Sequence, residues 1–247
     1  MPDVTHAPLE WDKSGERYYE TGVRNAAIYI QENDGTYPKG IAWNGVTNVT
    51  EKPSGAEATP IWADDMKYLN IYSKEDFGAS VQAYYYPPEF KLCDGTAQLT
   101  AGVNIGQQER KAFGMVYRTR IGNDIQGDAL GYKIHLLYGC RAAASEKAYN
   151  TINDSPEAIQ FSWELTTTPV TVAGANPTSI VTIDSTEFKT TEEKAKLAAF
   201  EVILNGSTEA DARLPLPDEI KKFFEASDDQ NDGQTDGQTD GNQNQGS

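Results

Sequence analysis

The stretch YNTINDSPEAIQFSWELTTTPV, residues 149–170, shows most clearly which kind of fold this chain adopts. Ile159, Phe161, Trp163 and Leu165 occupy every second position, and polar side chains occupy the positions between them. A period of two is typical of a β-strand that buries one face. None of these residues suggests catalysis. The stretch therefore predicts a half-buried strand with a structural role.

Similar strand patterns recur along the chain and are not separated by helices. This order favours an antiparallel sandwich or barrel over a parallel sheet. In GYKIHLLYGC the alternation places Tyr132, Ile134 and Leu136 on the buried face and His135 on the polar face. The other strand candidates are AAIYIQENDGTY, GIAWNGVTNVT, IWADDMKYLNIYS, SVQAYYY, AQLTAGV, AFGMVYRTRIG and TSIVTID, and PPEFKLCDG predicts one short helical turn.

Two helices are predicted near the end of the chain, over residues 191–205 and 217–225. Thr190 and Glu193 have the spacing of a capping box, and Gly206 is placed to end the first helix. This helix is apolar on two sides. One side has Ala195, Ala198, Ala199, Val202 and Ile203, and the other has Leu197, Phe200 and Leu204. The second stripe faces either a neighbouring subunit or the RLPLPDEIKKFF segment of the same chain.

The domain organisation follows from these patterns. We expect a mainly β domain over residues 24–226, an antiparallel sandwich or barrel with a flanking helix. Residues 1–23 are polar and charged and predict an extended arm. Residues 227–247 repeat Asp-Gly-Gln-Thr, offer nothing to bury and predict a disordered acidic tail.

Composition excludes several classes of function. The chain has 247 residues and a formal net charge of −16, and removing the five aspartates of the tail leaves −11. Such acidity argues against binding to nucleic acid or to an anionic membrane. No apolar run has the length of a membrane span, and no apolar core of a signal peptide is present. Cys93 and Cys140 are expected to be thiols, although one bridge remains possible.

Catalytic chemistry is not expected. The two histidines, His6 and His135, have no cysteine or histidine partners at metal-binding spacing, and no nucleophile elbow or phosphate-binding loop occurs. Asp64 and Asp65 are adjacent, so on a strand they would point to opposite faces, and a strand-edge or turn position is the better interpretation. The sequence predicts no enzyme, no cofactor and no metal site.

Several segments together resemble one family. YETGVRNAAIYI, PIWADDMKYLNIYS, PPEFKLCDG, GYKIHLLYGC, SEKAYNTINDSPEAIQFSWELTTTPV and LNGSTEADARLPLPDEI are similar, in this order, to major tail proteins of long, non-contractile-tailed phages of Gram-positive hosts. The resemblance covers residues 20 to 222, and residues 145–170 are its most specific part.

The resemblance implies a tail-tube-like β-sandwich with six copies in a ring and rings stacked into a hollow tube. Its partners would be other copies of itself and the tape measure, tail terminator and distal tail proteins. Phage DNA would pass through an acidic lumen without specific binding. The protein would be made and assembled in the bacterial cytoplasm and would end in the virion tail.

The segment NVTEKPSGAEATP, residues 48–60, is predicted to be a long loop, because its prolines and Gly55 interrupt any strand pattern. In a tube protein such a loop would reach the next subunit, being mobile in the monomer and fixed in the tube. The candidate assembly contacts are therefore Glu51, Lys52, Pro53, Ser54, Gly55, Ala56, Glu57 and Ala58, together with Leu197, Phe200 and Leu204.

A β-sandwich that binds a surface or a carbohydrate is the alternative. Such a module would expose an aromatic platform, and Tyr84, Tyr85 and Tyr86 could form one. The competing interpretation is that these tyrosines line both faces of a covered strand.

Overall fold

A computed structural model describes residues 9–152 and 157–225, and it is mainly β with antiparallel pairing throughout. In these ranges the strands are β1 Tyr18–Ile30, β2 Gly40–Ala42, β3 Val46–Gly55, β4 Ala58–Ala63, β5 Met66–Tyr72, β6 Glu75–Ala83, β7 Ala97–Thr100, β8 Val103–Ile105, β9 Phe113–Asn123, β10 Gly127–Ala142, β11 Phe161–Thr166 and β12 Ile180–Asp184. The helices are α1 Thr191–Asn205 and α2 Pro217–Glu225, and short 3₁₀ helices span Pro88–Leu92 and Ser185–Glu187.

Two sheets share the long strand β10. The first sheet has the order β2-β1-β9-β10-β12, and the second has the order β10-β11-β6-β3. The bend that lets β10 change sheets is at Gly139, which has φ 58°. A Cβ atom there would lie 2.2 Å from the Thr168 carbonyl oxygen, so only glycine fits this close approach.

The first core lies between the two sheets. Trp163 is fully buried there, 5.5 Å from the ring of Trp43 and 5.2 Å from that of Phe90. Its indole N–H donates to Asp94 Oδ1 at 3.0 Å. The alternation predicted around Trp163 is confirmed, although the strand begins at Phe161 rather than Ile159.

The second core lies between the outer face of the first sheet and the two helices. Tyr29 donates its hydroxyl proton to the Leu204 carbonyl oxygen at 2.7 Å, and Arg118 on β9 pairs with Glu201 on α1 at 3.0 Å. The capping box of Thr190 and Glu193 is present. Apolar residues from the sheet, the helices and the connection between the helices fill this layer, namely Tyr29, Tyr37, Val116, Ile134, Leu136, Tyr138, Ile183, Leu197, Phe200, Leu204, Leu214 and Ile220.

The second stripe of α1 packs inside its own chain. Leu197, Phe200 and Leu204 are 4%, 0% and 1% exposed, and the Phe200 ring lies 5.7 Å and 5.3 Å from the rings of Phe223 and Phe224. This corrects the expectation that the stripe faces a neighbouring subunit, since it leaves no exposed surface to offer. The stripe packs instead against the RLPLPDEIKKFF segment of the same chain.

His135 is buried rather than solvent-facing. Its exposure is 9%, because β10 is covered by the second sheet on one face and by the helices on the other. A strand covered twice does not show which of its alternating positions meets water, so the sequence pattern misplaced this residue. Cys93 and Cys140 are free, buried thiols, and burial raises the pKa of each to about 12.

Two expected loop-like segments are strands. β1 begins at Tyr18, opposite Asn123 of β9, so the last six residues of the expected arm belong to the sheet. Residues 48–60 are mostly β3 and β4, joined at a bend where Gly55 has φ 84° and Ala56 has φ 53°. Pro53 is tolerated because β3 is an edge strand in the described part of the chain. The expected acidic tail and the polar run at 153–156 lie outside the described residues.

Candidate assembly surface

β4 and β5 form a hairpin that we call the hairpin arm, residues 58–72. Asp64 and Asp65 make its turn, with φ values of 50° and 62°. Aspartate tolerates this left-handed region better than most residues, and two positive φ values suit the twist of a tight hairpin. The turn interpretation of this aspartate pair is confirmed, and IWADDMKYLNIYS is two strands rather than one.

The hairpin arm continues the direction of the β3–β6 pair. That pair extends to Gly55 opposite Glu75, and the Glu57 N–H then donates to the Ser73 hydroxyl at 3.1 Å across the bend. Six strand residues span roughly 20 Å. β4 and β5 pack on each other and make no substantial contact with the other elements of the described ranges. The arm is therefore an extension of the sandwich rather than a part of its core.

One face of the hairpin arm is aliphatic. Register pairs Ile61 with Leu69, and the same side of the ladder carries Ile71 and Met66. Their exposures are 39% for Ile61, 41% for Leu69, 55% for Ile71 and 63% for Met66. A contiguous apolar surface of this kind marks an interaction site in a soluble protein.

The opposite face of the hairpin arm presents aromatic rings. Trp62 is 65% exposed and Tyr72 is 66% exposed. Burying one such side chain contributes about 1.5–3 kcal/mol, so the two faces together leave a large hydrophobic free energy unused in the single chain. A partner that covers the arm would recover it.

Unpaired strand edges accompany the arm. In the described ranges β3 has a partner only on its β6 side. Within residues 9–152 and 157–225, β2 pairs with β1 only from Ala27 to Tyr29, so residues 18–25 of β1 have no strand partner there on the side away from β9. Edges of this kind pair readily with another chain. A smaller hairpin, β7–β8, adds exposed Leu99, Val103 and Ile105.

Eight of the expected assembly contacts lie along the edge strand β3 and the base of the hairpin arm. Glu51, Lys52, Pro53, Ser54 and Gly55 lie on the edge strand β3, Ala56 and Glu57 form the bend, and Ala58 opens the hairpin arm. Lys52 pairs with Glu164 at 2.7 Å on the surface of the second sheet. Their role in assembly stays a prediction.

The residues of the hairpin arm itself were missed as candidates from the sequence. Its apolar residues had the appearance of an ordinary buried strand. A usable signal was present, because Ile61 and Trp62 are adjacent and so are Ile71 and Tyr72. Large apolar side chains at both parities, around an Asp-Asp pair, indicate a hairpin that is apolar on both faces.

Over residues 9–152 and 157–225, no group of three histidine, cysteine or acidic side chains could hold a metal ion. The helices in those ranges are all too short or too polar to cross a membrane. Tyr84 and Tyr85 are 53% and 58% exposed, whereas Tyr86 packs edge-on against Phe161 and Trp163.

Comparison with known proteins gives few matches. No family model and no curated protein matches the chain. Among solved structures, a chain of the anti-feeding prophage baseplate has a TM-score of 0.35 at 8% identity, covering 71% of this chain and 97% of that chain. A chain of the extracellular contractile injection system PVC sheath–tube complex has a TM-score of 0.29 at 10% identity, covering 71% and 94%. Both TM-scores are low, and neither match establishes a common fold.

Proposed function

We propose that this chain is a structural subunit of a phage tail that assembles with copies of itself into six-membered rings, which stack into the tail tube. In this proposal it has no catalytic site and no cofactor. It belongs to the virion tail and meets the tape measure, tail terminator and distal tail proteins. The sequence resemblance supplies the kind of assembly, and the hairpin arm supplies the physical reason to assemble.

The observation that supports this proposal most strongly is the exposed aliphatic face of the arm. The sandwich body already has two closed cores, so Ile61, Met66, Leu69 and Ile71 are not required for folding it. An arm that projects roughly 20 Å reaches beyond the body that bears it. Such an arm contacts a different surface on the next copy, which is the heterologous geometry that generates rings.

The unpaired edges complete the geometry of a ring. An edge strand at one side of a subunit is satisfied when the neighbouring subunit contributes a strand, and closure of the ring leaves no edge free. β3 and the first half of β1 are two of the edges that the described part of the chain offers for this pairing. Together with the arm they give each subunit two separate contacts with its neighbours.

The charge fits a conduit for DNA. A basic lumen would hold duplex DNA through counterion release, whereas an acidic lumen lets the DNA pass. The net charge of −16 is in keeping with passage without specific binding. Retention of duplex DNA by assembled tubes at physiological salt would contradict this part of the proposal.

Electron microscopy and sedimentation of the purified protein test the proposal. We expect rings or tubes from the parent chain and loss of sedimentable tubes when Ile61→Ser and Ile71→Ser are combined. The matched control is Val202→Ser on α1, a half-exposed apolar residue outside the arm, which should assemble like the parent. A parent that stays monomeric at every concentration tested, or a double variant that still forms tubes, would overturn the proposal.

A carbohydrate-binding module is the second candidate, because adjacent Tyr84 and Tyr85 are both more than half exposed. For that function, Tyr84→Ala with Tyr85→Ala should abolish binding to a glycan array without changing the sedimentation of the protein. Absence of any bound glycan with the parent chain would remove this candidate.

A further inference from the structure

A polar cluster around the buried His135 ring lies where β1 and β3 approach each other across the sandwich. We call it the His135 cluster: His135 and Lys133 on β10, Tyr117 and Thr119 on β9, Glu20 on β1 and Glu51 on β3. The His135 ring stacks on the Tyr117 ring with 4.6 Å between centroids and 3° between planes. Beside the cluster a cleft of about 340 Å³ separates β1 from β3, lined on one side by Glu20 and Thr21 and on the other by Thr47 and Val49.

The hydrogen bonds around Thr119 show that Nε2 of His135 carries a proton. The Thr119 hydroxyl lies 2.5 Å from Glu20 Oε1 and 3.0 Å from this nitrogen. Burial works against ionisation of Glu20, but hydrogen bonds from Lys133 and Thr119 outweigh it and lower the pKa of the carboxyl. Glu20 is therefore a carboxylate and only accepts. Thr119 has one proton and donates it to Glu20, so Nε2 must donate to Thr119.

The other ring nitrogen, Nδ1, faces a second carboxylate. It lies 3.2 Å from Glu51 Oε1, and that oxygen also accepts the Tyr117 hydroxyl proton at 2.5 Å. The contact with His135 and the hydrogen bond from Tyr117 lower the pKa of Glu51 against the opposing effect of burial, so Glu51 too is a carboxylate. The contact is an ion pair rather than a straight hydrogen bond, because Nδ1 is poorly aligned with the oxygen. It is attractive only when Nδ1 also bears a proton.

A neutral ring can satisfy only one of these two sides. Either neutral tautomer would direct a lone pair at an oxygen that has no proton to give. With both protons present, the imidazolium and Lys133 balance the charges of Glu20 and Glu51. The other groups around the ring are Tyr117, whose burial raises its pKa and keeps it neutral, and Thr182 and Asp184 on β12, opposite His135 and Lys133.

We propose that His135 is a proton-dependent clamp that holds the edge strand β3 against β1 and β10 and thereby fixes the base of the hairpin arm. Doubly protonated, the ring joins Glu20 and Glu51 across the mouth of the sandwich. When the ring loses a proton, Glu51 keeps only the hydrogen bond from the Tyr117 hydroxyl, and β3 is held less firmly against β10. The role in positioning the arm for a second copy rests on the proposed function, whereas the clamp itself is a property of one chain.

The pH range over which the clamp holds β3 follows from the protonation states of Glu20, Glu51 and the His135 ring. The two carboxylates have lowered pKa values, so their stabilisation is present above the ordinary glutamate value and is lost as the pH falls through their folded values. The imidazolium contribution is present at acidic pH and disappears when the ring deprotonates. The measurements therefore compare about pH 5.5 with about pH 8.5, on either side of the value of about 6.5 for histidine in model peptides.

Nitrogen-15 NMR of the two histidine rings, with His6→Ala to assign them, tests the protonation state. At about pH 5.5 we expect both ring nitrogens of His135 to show imidazolium shifts. Amide exchange of β3, corrected for its intrinsic pH dependence, should then be about tenfold slower than at about pH 8.5, which corresponds to about 1.4 kcal/mol. A neutral ring at about pH 5.5, or equal β3 protection at both values, would overturn the proposal.

Two variants separate the clamp from a general loss of folding. Glu51→Gln should remove the pH step in β3 protection while the His135 ring still titrates, and His135→Gln should give low β3 protection at both pH values. Persistence of the step in Glu51→Gln would count against the clamp. All of these measurements are made on single chains, so a failure to form tubes would refute the proposed function and leave the clamp standing.

Discussion

Trp163 on β11 and Trp62 on β4 are the same residue type on antiparallel strands, yet they have opposite surroundings. Trp163 lies in the first core, fully buried, with its indole N–H bonded to Asp94. Trp62 lies on the hairpin arm and is 65% exposed. The body of the molecule thus uses its large apolar side chains for its own stability, whereas the arm keeps them available. The difference predicts that substitutions in the two regions affect different measurements.

The largest effect is expected from charges placed in the second core. Phe200→Lys with Leu204→Lys buries two ammonium groups without partners, which should cost several kcal/mol. This cost is a large part of a typical free energy of unfolding of about 5–15 kcal/mol. Thermal melting followed by circular dichroism should show an unfolded chain. Val202→Lys is the control, because Val202 on the same helix is 51% exposed. A double variant that melts like the parent would show that Phe200 and Leu204 are not part of the core of the body.

Truncation in the first core should have the next largest effect. Trp163→Ala should lower the free energy of unfolding by about 3–5 kcal/mol in urea titration, because it leaves a cavity and removes the donor to Asp94. Trp163→Phe separates the two causes, since it keeps most of the ring volume and loses only the N–H, with an expected cost of about 1–3 kcal/mol. Equal losses for both variants would mean that packing contributes little here.

The cap of α1 should contribute less. Thr190 accepts a hydrogen bond from the Glu193 N–H at 3.1 Å, and Glu193 accepts in return from the Thr190 N–H at 2.9 Å. Thr190→Ala should reduce the free energy of unfolding by about 1 kcal/mol. Thr191→Ala, one residue along the helix, should change it by less than about 0.5 kcal/mol. If the two variants proved indistinguishable, the cap would have no measurable role.

The smallest effect on stability is expected on the hairpin arm. Trp62→Ala should change the free energy of unfolding of the monomer by less than about 0.5 kcal/mol, because the ring is mostly in water already. The same variant should weaken tube formation in sedimentation. A loss of stability comparable to that of Trp163→Ala would show that the arm packs on its own body in solution, and the contrast drawn between the two regions would fail.

Periodicity was most informative where one face of an element is covered. The alternation around Trp163 predicted β11, and the capping box with Gly206 predicted the bounds of α1, because both signals are local. The second half of edge strand β3, from Glu51 to Gly55, was not recognised, since its side chains are exposed and only backbone pairing with β6 makes it a strand. His135 was misplaced for the opposite reason, as β10 is covered on both faces.

The sequence alone was enough to predict the antiparallel β class, the two helices and the cap of α1, because hydrophobic period and capping residues act over a few neighbouring positions. Tertiary structure alone decided which apolar residues are core and which are surface. Leu204 and Ile71 are both aliphatic residues in well-formed elements, yet one is buried under α2 and the connection before it and the other is 55% exposed. Burial depends on what lies opposite a residue in space, and those partners come from segments far apart in the chain.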